Sequence, residues 1–256
     1  MSRRLAAIVA HPDDDTWGVA GTVALHAEDP AFRFVLVHVT SGEAGQIAEG
    51  SGATPETLGA IREEEDRRSW VVLGRVPDRH EWFRLPDHAV EDQPHEDLVE
   101  RIAVVLRAER PDVVITFGPD GITGHPDHIT VGRATSDAFH RVRGDADDGL
   151  RRLLHNVLPQ SWLEDWNAQL VAAGREPFDP EQLYHPRGVP DDALGVLVDC
   201  SPVAARKLEA LQQHVTQMSE EDETDDLEAL GREAFVIAWP ERPPGSPVLT
   251  DVFEGL

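Results

Sequence analysis

An α/β domain, with a mostly parallel sheet flanked by helices, is the fold class that this 256-residue sequence predicts. Three observations lead there. Short apolar runs at 5–10 (LAAIVA), 32–39 (FRFVLVHV) and 112–117 (DVVITF) have the length and composition of buried strands. Segments with helical spacing of apolar residues lie between them. Each run stops abruptly in a loop rich in carboxylates, histidine or glycine, and open α/β sheets bind their ligands at the carboxyl ends of strands.

In chain order, 5–10 is the first strand and 17–27 a helix, with Thr16 or Asp15 as its cap and Gly18 and Gly21 on one face for close approach to the sheet. No GxGxxG or Walker pattern accompanies these glycines, so they are packing positions. The strand at 32–39 leads to a helix at 54–74, capped by Thr54 with Pro55 in its first position. Its run Arg62-Glu63-Glu64-Glu65 reads mainly as a solvated face, with one member free to point at a site. A short strand at 81–85 and an amphipathic helix at 96–109, with Leu98, Ile102, Val105 and Leu106 inward, precede Pro111 and the strand at 112–117. A helix at 129–142 and a loop at 143–149 follow. Beyond them come a strand at 153–158, a helix at 162–173, a proline-rich irregular stretch at 174–192, a strand at 194–198 and a helix at 203–218. The chain then runs through an acidic stretch at 219–226 to a proline-rich tail at 240–247. Residues 1–256 thus read as one domain without repeats. Within it, 143–192 is a variable, substrate-covering insertion, because so long an irregular excursion from a compact domain is usually a lid or binding loop. Trp162, Trp166 and Tyr184 are its candidate contacts.

With 48 acidic against 23 basic residues, a formal charge of −25 disfavours phosphate backbones and anionic membranes. The partner expected is a small molecule, and a homo-oligomer is possible. A single cysteine, Cys200, forbids an internal disulfide and points to a reducing, cytoplasmic compartment. The apolar run after Arg4 stops at Ala10 without a cleavage-like region, and no stretch approaches the roughly 20 apolar residues of a membrane span.

The chemistry concentrates in two clusters. Ala10-His11-Pro12-Asp13-Asp14-Asp15 follows the first strand, and Gly124-His125-Pro126-Asp127-His128 follows the strand at 112–117. Packed carboxylates repel unless a cation compensates. A catalytic zinc takes three ligands from histidine and carboxylate and keeps one position open. His11 and Asp14, three residues apart, can face one point, and His128 supplies the third ligand. Asp13 is then free to accept a proton from the attacking water, and His125, as imidazolium, to stabilise an oxyanion and protonate a leaving amine. Asp127 would orient His125, and Asp15 would brace a ligand. Glu43, in the glycine-bearing loop after the second strand, is a candidate substrate contact. His26, His38 and His140 lie in apolar or helical stretches and read as structural.

These residues resemble those of the LmbE-like or PIG-L zinc-dependent de-N-acetylases. The resemblance rests on AHPDDD at 10–15, TSGEAG at 40–45 and GHPDH at 124–128, with weaker matches at Arg62-Glu63-Glu64-Glu65, Leu73-Gly74 and Lys207 through Leu211 to His214 and Gln217. It implies a Rossmann-like fold, zinc on His11, Asp14 and His128, Asp13 as general base and His125 as electrostatic stabiliser or acid. It also implies sugar contacts at Arg62 and Asp87. Asp15 stands where many members have Glu, and Thr123 where mycothiol-pathway deacetylases carry Tyr. The expected function is hydrolysis of an N-acetyl group on a small GlcNAc-like substrate, with Zn2+ or another divalent metal such as Fe2+. Two rivals remain: a non-haem Fe(II) oxygenase on the same two-His-one-carboxylate ligands, and a non-catalytic sugar-binding protein.

Overall fold

The computed structural model describes residues 3–144, 148–218 and 227–256. The acidic stretch at 219–226 and part of the loop at 143–149 lie outside the described residues. Elements run in the order β1 (Arg3–Val9), α1 (Asp14–Gly18), α2 (Ala20–Leu25), β2 (Phe32–His38), α3 (Leu58–Val72), β3 (Arg79–Trp82), α4 (His95–Glu109) and β4 (Val113–Phe117). Then come α5, a single turn (Gly121–Gly124), α6 (Pro126–Val142), β5 (Arg152–Asn156), β6 (Leu158–Pro159), α7 (Gln160–Ala172) and β7 (Gly188–Val189). The last are β8 (Val196–Asp199), α8 (Ala204–Leu211), α9 (Leu227–Leu230) and β9 (Arg232–Trp239).

Seven strands form one sheet in the order β3-β2-β1-β4-β5-β9-β8, and β6 and β7 make a separate two-stranded pair. The first five strands of the sheet are parallel, from β3 through β5. β9 pairs antiparallel with both β5 and β8. Because the chain winds outward from β1 to β3 and then returns to start again at β4, right-handed crossovers put helices on both faces. Accordingly α4 packs on α6, and α3 on α8. β1 and β4 are buried along nearly their whole length, as strands covered on both faces must be. The crevice between their carboxyl ends is the topological switch point of the sheet.

Several elements differ from the sequence reading. The first helix starts at Asp14, inside the acidic cluster, and is broken at Val19 (φ −145°, ψ −8°). Neither Thr16 nor Asp15 caps it: Thr16 Oγ1 pairs with Ser69 and His214, and Asp15 with His38 and Trp70. The helix expected at 54–74 begins only at Leu58, because Thr54 and Thr57 close a turn ahead of it. The one expected at 203–218 stops at Leu211, and the chain then turns to lay His214 and Thr216 against buried groups of α1 and α3. β9 has no counterpart in the sequence reading, although Phe235-Val236-Ile237-Ala238-Trp239 carries the β-rich composition that marks a strand. The charge on α3 is also only partly a solvated face, to which Glu64 belongs. Arg62, Glu63 and Glu65 are buried. Glu63 is paired with Arg84 and Ser41, and Glu65 with Thr216, because other segments cover both sides of this helix.

A buried polar cluster ties the antiparallel strand to the first helices. The Glu233 carboxylate accepts from Gly21 N, Thr22 N, Thr22 Oγ1 and Lys207 Nζ, the last at 2.7 Å. Gly21 is required there, since a Cβ would lie 2.6 Å from Cys200 Sγ. Lys207 and Glu233 side chains are only 2% and 1% exposed, so removing one partner strands a buried charge. Lys207→Met should therefore destabilise the protein by about 3–5 kcal/mol, read as a lower chemical-denaturation midpoint. An unchanged midpoint would mean that the three remaining donors suffice for Glu233.

Candidate metal centre

β1 delivers His11 and Asp14 to the switch point. β4, the turn of α5 and the start of α6 deliver His125 and His128 beside them. Pro126 occupies the first turn of α6, and His125 caps that helix by accepting from Asp127 N through Nδ1 at 3.1 Å. His128 stacks on Phe117 with ring centroids 4.1 Å apart, which fixes its plane. His128 Nδ1 lies 3.0 Å from the carbonyl of Gly121, so this nitrogen carries the proton and Nε2 offers a lone pair. His11 Nε2 stands 3.0 Å from Asp87 Oδ1 and 3.3 Å from Asp127 Oδ2, so the proton sits there and Nδ1 is left free.

The free donors face one another. His11 Nδ1 is 3.2 Å from His128 Nε2 and 3.3 Å from Asp14 Oδ2, and His128 Nε2 is 3.2 Å from Asp14 Oδ1. Tetrahedral ligands about 2.0–2.1 Å from a zinc-sized ion lie roughly 3.3 Å apart. The triangle therefore has the dimensions of a metal face, and two lone pairs and a carboxylate edge at such range demand positive charge. Electrostatics agree. Burial works against ionising Asp14, yet His128 and His11 hold its carboxyl well below the ordinary range. Burial likewise opposes charge on His11, but Asp127, Asp14 and Asp87 together hold the imidazole well above its usual value, so without an ion a second proton sits on Nδ1 and a bound cation would displace it.

Asp13 is next to the triangle but outside it. Its backbone sits at φ 104°, rare for a residue with a side chain, and its carboxylate makes no capping bond to α1. Three more non-glycine residues around the crevice, His88, Ile122 and Tyr184, also have positive φ, a concentration of strain expected where geometry serves a site. Burial pushes the Asp13 carboxyl up to about 6, against the opposing pull of Arg62. His125 is pushed down to about 4, by burial first and then by His11 and His128. It is thus neutral at pH 7 with Nδ1 occupied as an acceptor, and it presents Nε2–H. In this tautomer His125 is a donor and not a ligand, although a ring nitrogen of it lies within 4.8 Å of those of His11 and His128. The imidazolium expected from the sequence is replaced by a neutral N–H.

Residues 6–139 match the family model described as PIG-L, GlcNAc-PI de-N-acetylase. The chain belongs to this family. A relative from Saccharopolyspora erythraea, 1D-myo-inositol 2-acetamido-2-deoxy-alpha-D-glucopyranoside deacetylase 2, is 32% identical, with 93% of each chain covered. Among solved structures, N,N'-diacetylchitobiose deacetylase from Pyrococcus horikoshii aligns with TM-score 0.62 and 21% identity, covering 92% of this chain and 84% of that one. GalB, the 4-carboxy-2-hydroxymuconate hydratase of Pseudomonas putida KT2440, aligns with TM-score 0.66 and 18% identity over 96% of this chain and all of the other. The two structures establish the LmbE-like fold, and the hydratase shows that this fold carries more than one chemistry.

In this PIG-L family chain the supporting residues are arranged differently from the sequence reading. Asp127 does not orient His125 with its carboxylate. That group accepts from His88 N, Val90 N and His11 Nε2, and only the Asp127 backbone N–H reaches His125. Asp15 braces none of the three residues of this triangle: α1 turns it away from the crevice, toward His38 and Trp70. Asp87, matched to a sugar contact, has its side chain 1% exposed against His11 Nε2. It also accepts from Ala44 N, while Glu43 Oε1 accepts from Asp87 N, so the two acidic residues latch their loops together. Arg62, the other matched sugar contact, is 4% exposed. Its guanidinium donates to the carbonyls of Gly42 and Pro12 and to Asp13 Oδ2. Of the three aromatic residues singled out at 143–192, Tyr184 alone meets the site, with its ring 5.1 Å from His125. Its hydroxyl lies 3.4 Å from His88 Nδ1. Trp166 packs on Phe178, and Trp162 under Arg232. No sequence pattern distinguished His88. Removing a hydrogen-bond partner of a metal-ligating histidine typically costs 10–100-fold in affinity. Asp127→Asn should therefore weaken metal binding by about that factor, measured by competition with a chelator.

Among the described residues, no helix is long and apolar enough to cross a membrane.

Proposed function

We propose that this chain is a zinc-dependent amidohydrolase that removes the acetyl group from the 2-acetamido nitrogen of a small glucosaminyl compound, of the kind named for its 1D-myo-inositol-linked relatives. The observation that carries the reading is the triangle of His11 Nδ1, His128 Nε2 and Asp14 with edges of 3.2–3.3 Å, directly beside the half-buried Asp13 carboxylate, which pairs with Arg62 among the described residues. His11, Asp14 and His128 would hold the ion, the donor set that suits zinc and also Fe2+. When bound there, a divalent metal acidifies water and polarises a carbonyl.

The remaining chemistry belongs to the side chains. Asp13 accepts the proton of the attacking water and passes it to the departing amine, a task suited to a carboxyl held near neutrality. Arg62 fixes that carboxylate while bracing the turns at Pro12 and Gly42. His125 Nε2–H stabilises the charge that develops on the amide oxygen, and its neutral state costs no reorganisation. Asp87 and Asp127 keep His11 in the tautomer with Nδ1 free. The segment around Tyr184 covers His125 and gives the substrate a rim.

The test is a panel of N-acetylglucosaminyl compounds incubated with purified protein, with free amine and acetate read together and metal content measured on the same sample. Stoichiometric amine and acetate support the proposal. Oxygen consumption with a keto-acid cosubstrate, or metal-free protein that binds sugar without turnover, would replace it with one of the two rival readings.

A further inference from the structure

A second group of metal-ligating side chains lies between α3 and the edge of the sheet. His38 ends β2, His80 stands on the neighbouring edge strand β3, and Asp66 faces both from α3. One ligand atom from each lies within 4.8 Å of the other two. His38 Nδ1 and His80 Nε2 are 2.9 Å apart, and His80 Nε2 is 3.6 Å from Asp66 Oδ2. Asp66 is wholly buried, and neither of its carboxylate oxygens receives a hydrogen bond. Burial and then the neighbouring Asp15 carboxylate push the Asp66 carboxyl well above its ordinary range, so it keeps a proton unless a cation supplies the counter-charge.

The tautomers sharpen this. His38 Nε2 lies 3.2 Å from Asp15 Oδ1, so that carboxylate holds a proton on this nitrogen and Nδ1 is the atom turned toward His80. The 2.9 Å between Nδ1 of His38 and Nε2 of His80 is closed by one proton or by a cation that displaces it. Burial, and then His38, push His80 down to about 3, so its Nε2 offers a lone pair at pH 7. We propose that His38 Nδ1, His80 Nε2 and Asp66 form a second divalent-cation site, with Asp15 orienting His38 as Asp87 and Asp127 orient His11. Adjacent residues of one short helix thereby serve two centres: Asp14 as a ligand of the first, Asp15 as the support of the second. Two neutral imidazoles and a carboxylate suit zinc-class ions better than calcium or magnesium. The His80 side chain is 16% exposed on an edge strand, which gives an ion a way in.

The test is zinc stoichiometry after equilibration and removal of excess, independent of any reaction. Wild type should retain about two equivalents per chain, His80→Gln about one, His128→Ala about one and the double variant none. In the His128→Ala background, added zinc should still raise the thermal midpoint, and His80→Gln should abolish that rise. One equivalent in wild type that His128→Ala loses, two in His80→Gln, or no zinc-dependent midpoint in His128→Ala overturns the proposal and leaves a shared proton as the counter-charge of Asp66. Should His80→Gln not fold, the wild-type ratio and the midpoint in His128→Ala decide. Failure of the first centre instead shows as His128→Ala retaining the wild-type zinc content.

Discussion

His128→Ala should empty the triangle and abolish turnover. The variant removes one of three donors and leaves His11 Nδ1 facing Asp14 alone, at 3.3 Å. Two ligands do not compete with bulk water and chelators for a zinc-class ion, whereas three with fixed tautomers do. Metal polarisation contributes several kcal/mol to an acyl-transfer barrier, and each 1.4 kcal/mol is tenfold, so kcat/KM should fall by about 10³-fold or more. The cavity left against Phe117 is small and lies at a crevice where His128 is already 8% exposed, so the fold should persist. Metal analysis together with circular dichroism checks both halves. Full occupancy of the first centre in this variant would refute the ligand set.

Asp13→Asn should leave the metal in place and still remove most activity. Asn keeps the volume of Asp, accepts from Arg62 through its amide oxygen and tolerates the φ of 104° better than most residues. What it cannot do is take a proton. General-base catalysis is typically worth 10²–10⁴-fold, so kcat should drop by about that range with KM little changed. The informative measurement is kcat at matched metal content. Turnover equal to wild type would take Asp13 out of the base role and leave the ion and His125 to carry the reaction.

The two changes separate functions that sit on consecutive residues, and the separation comes from backbone geometry. Asp13, Asp14 and Asp15 are chemically identical in the sequence, and the sequence reading gave all three work at one site. The φ of Asp13 and the immediate start of α1 send them three ways: Asp13 toward Arg62, Asp14 into the ligand triangle, and Asp15 behind it to His38. The convergence of His11, Asp14 and His128 was legible, because two apolar strands each run straight into a His/Asp cluster, and such strand ends converge in a parallel sheet. His38 was not. A histidine inside FRFVLVHV looks like a structural residue until β3 and α3 bring His80 and Asp66 against it. Asp87 was legible only by resemblance, and its distance of 3.0 Å from His11 Nε2 gives it a different place, against that imidazole.

Local sequence alone determined the parallel core, the positions of its strand ends and the kind of chemistry there, since apolar runs, turn residues and ionisable clusters act over a few residues. The contacts that only tertiary structure decided join residues 14 to 116 positions apart: the proton on Nε2 of His11, the carboxylate held by Arg62, the antiparallel β9 wedged between β5 and β8, and the layer of His38, Asp66 and His80. A proton's position on a ring, or a carboxylate's partner, depends on which distant atom arrives at hydrogen-bond range. No periodicity or motif within one segment encodes that.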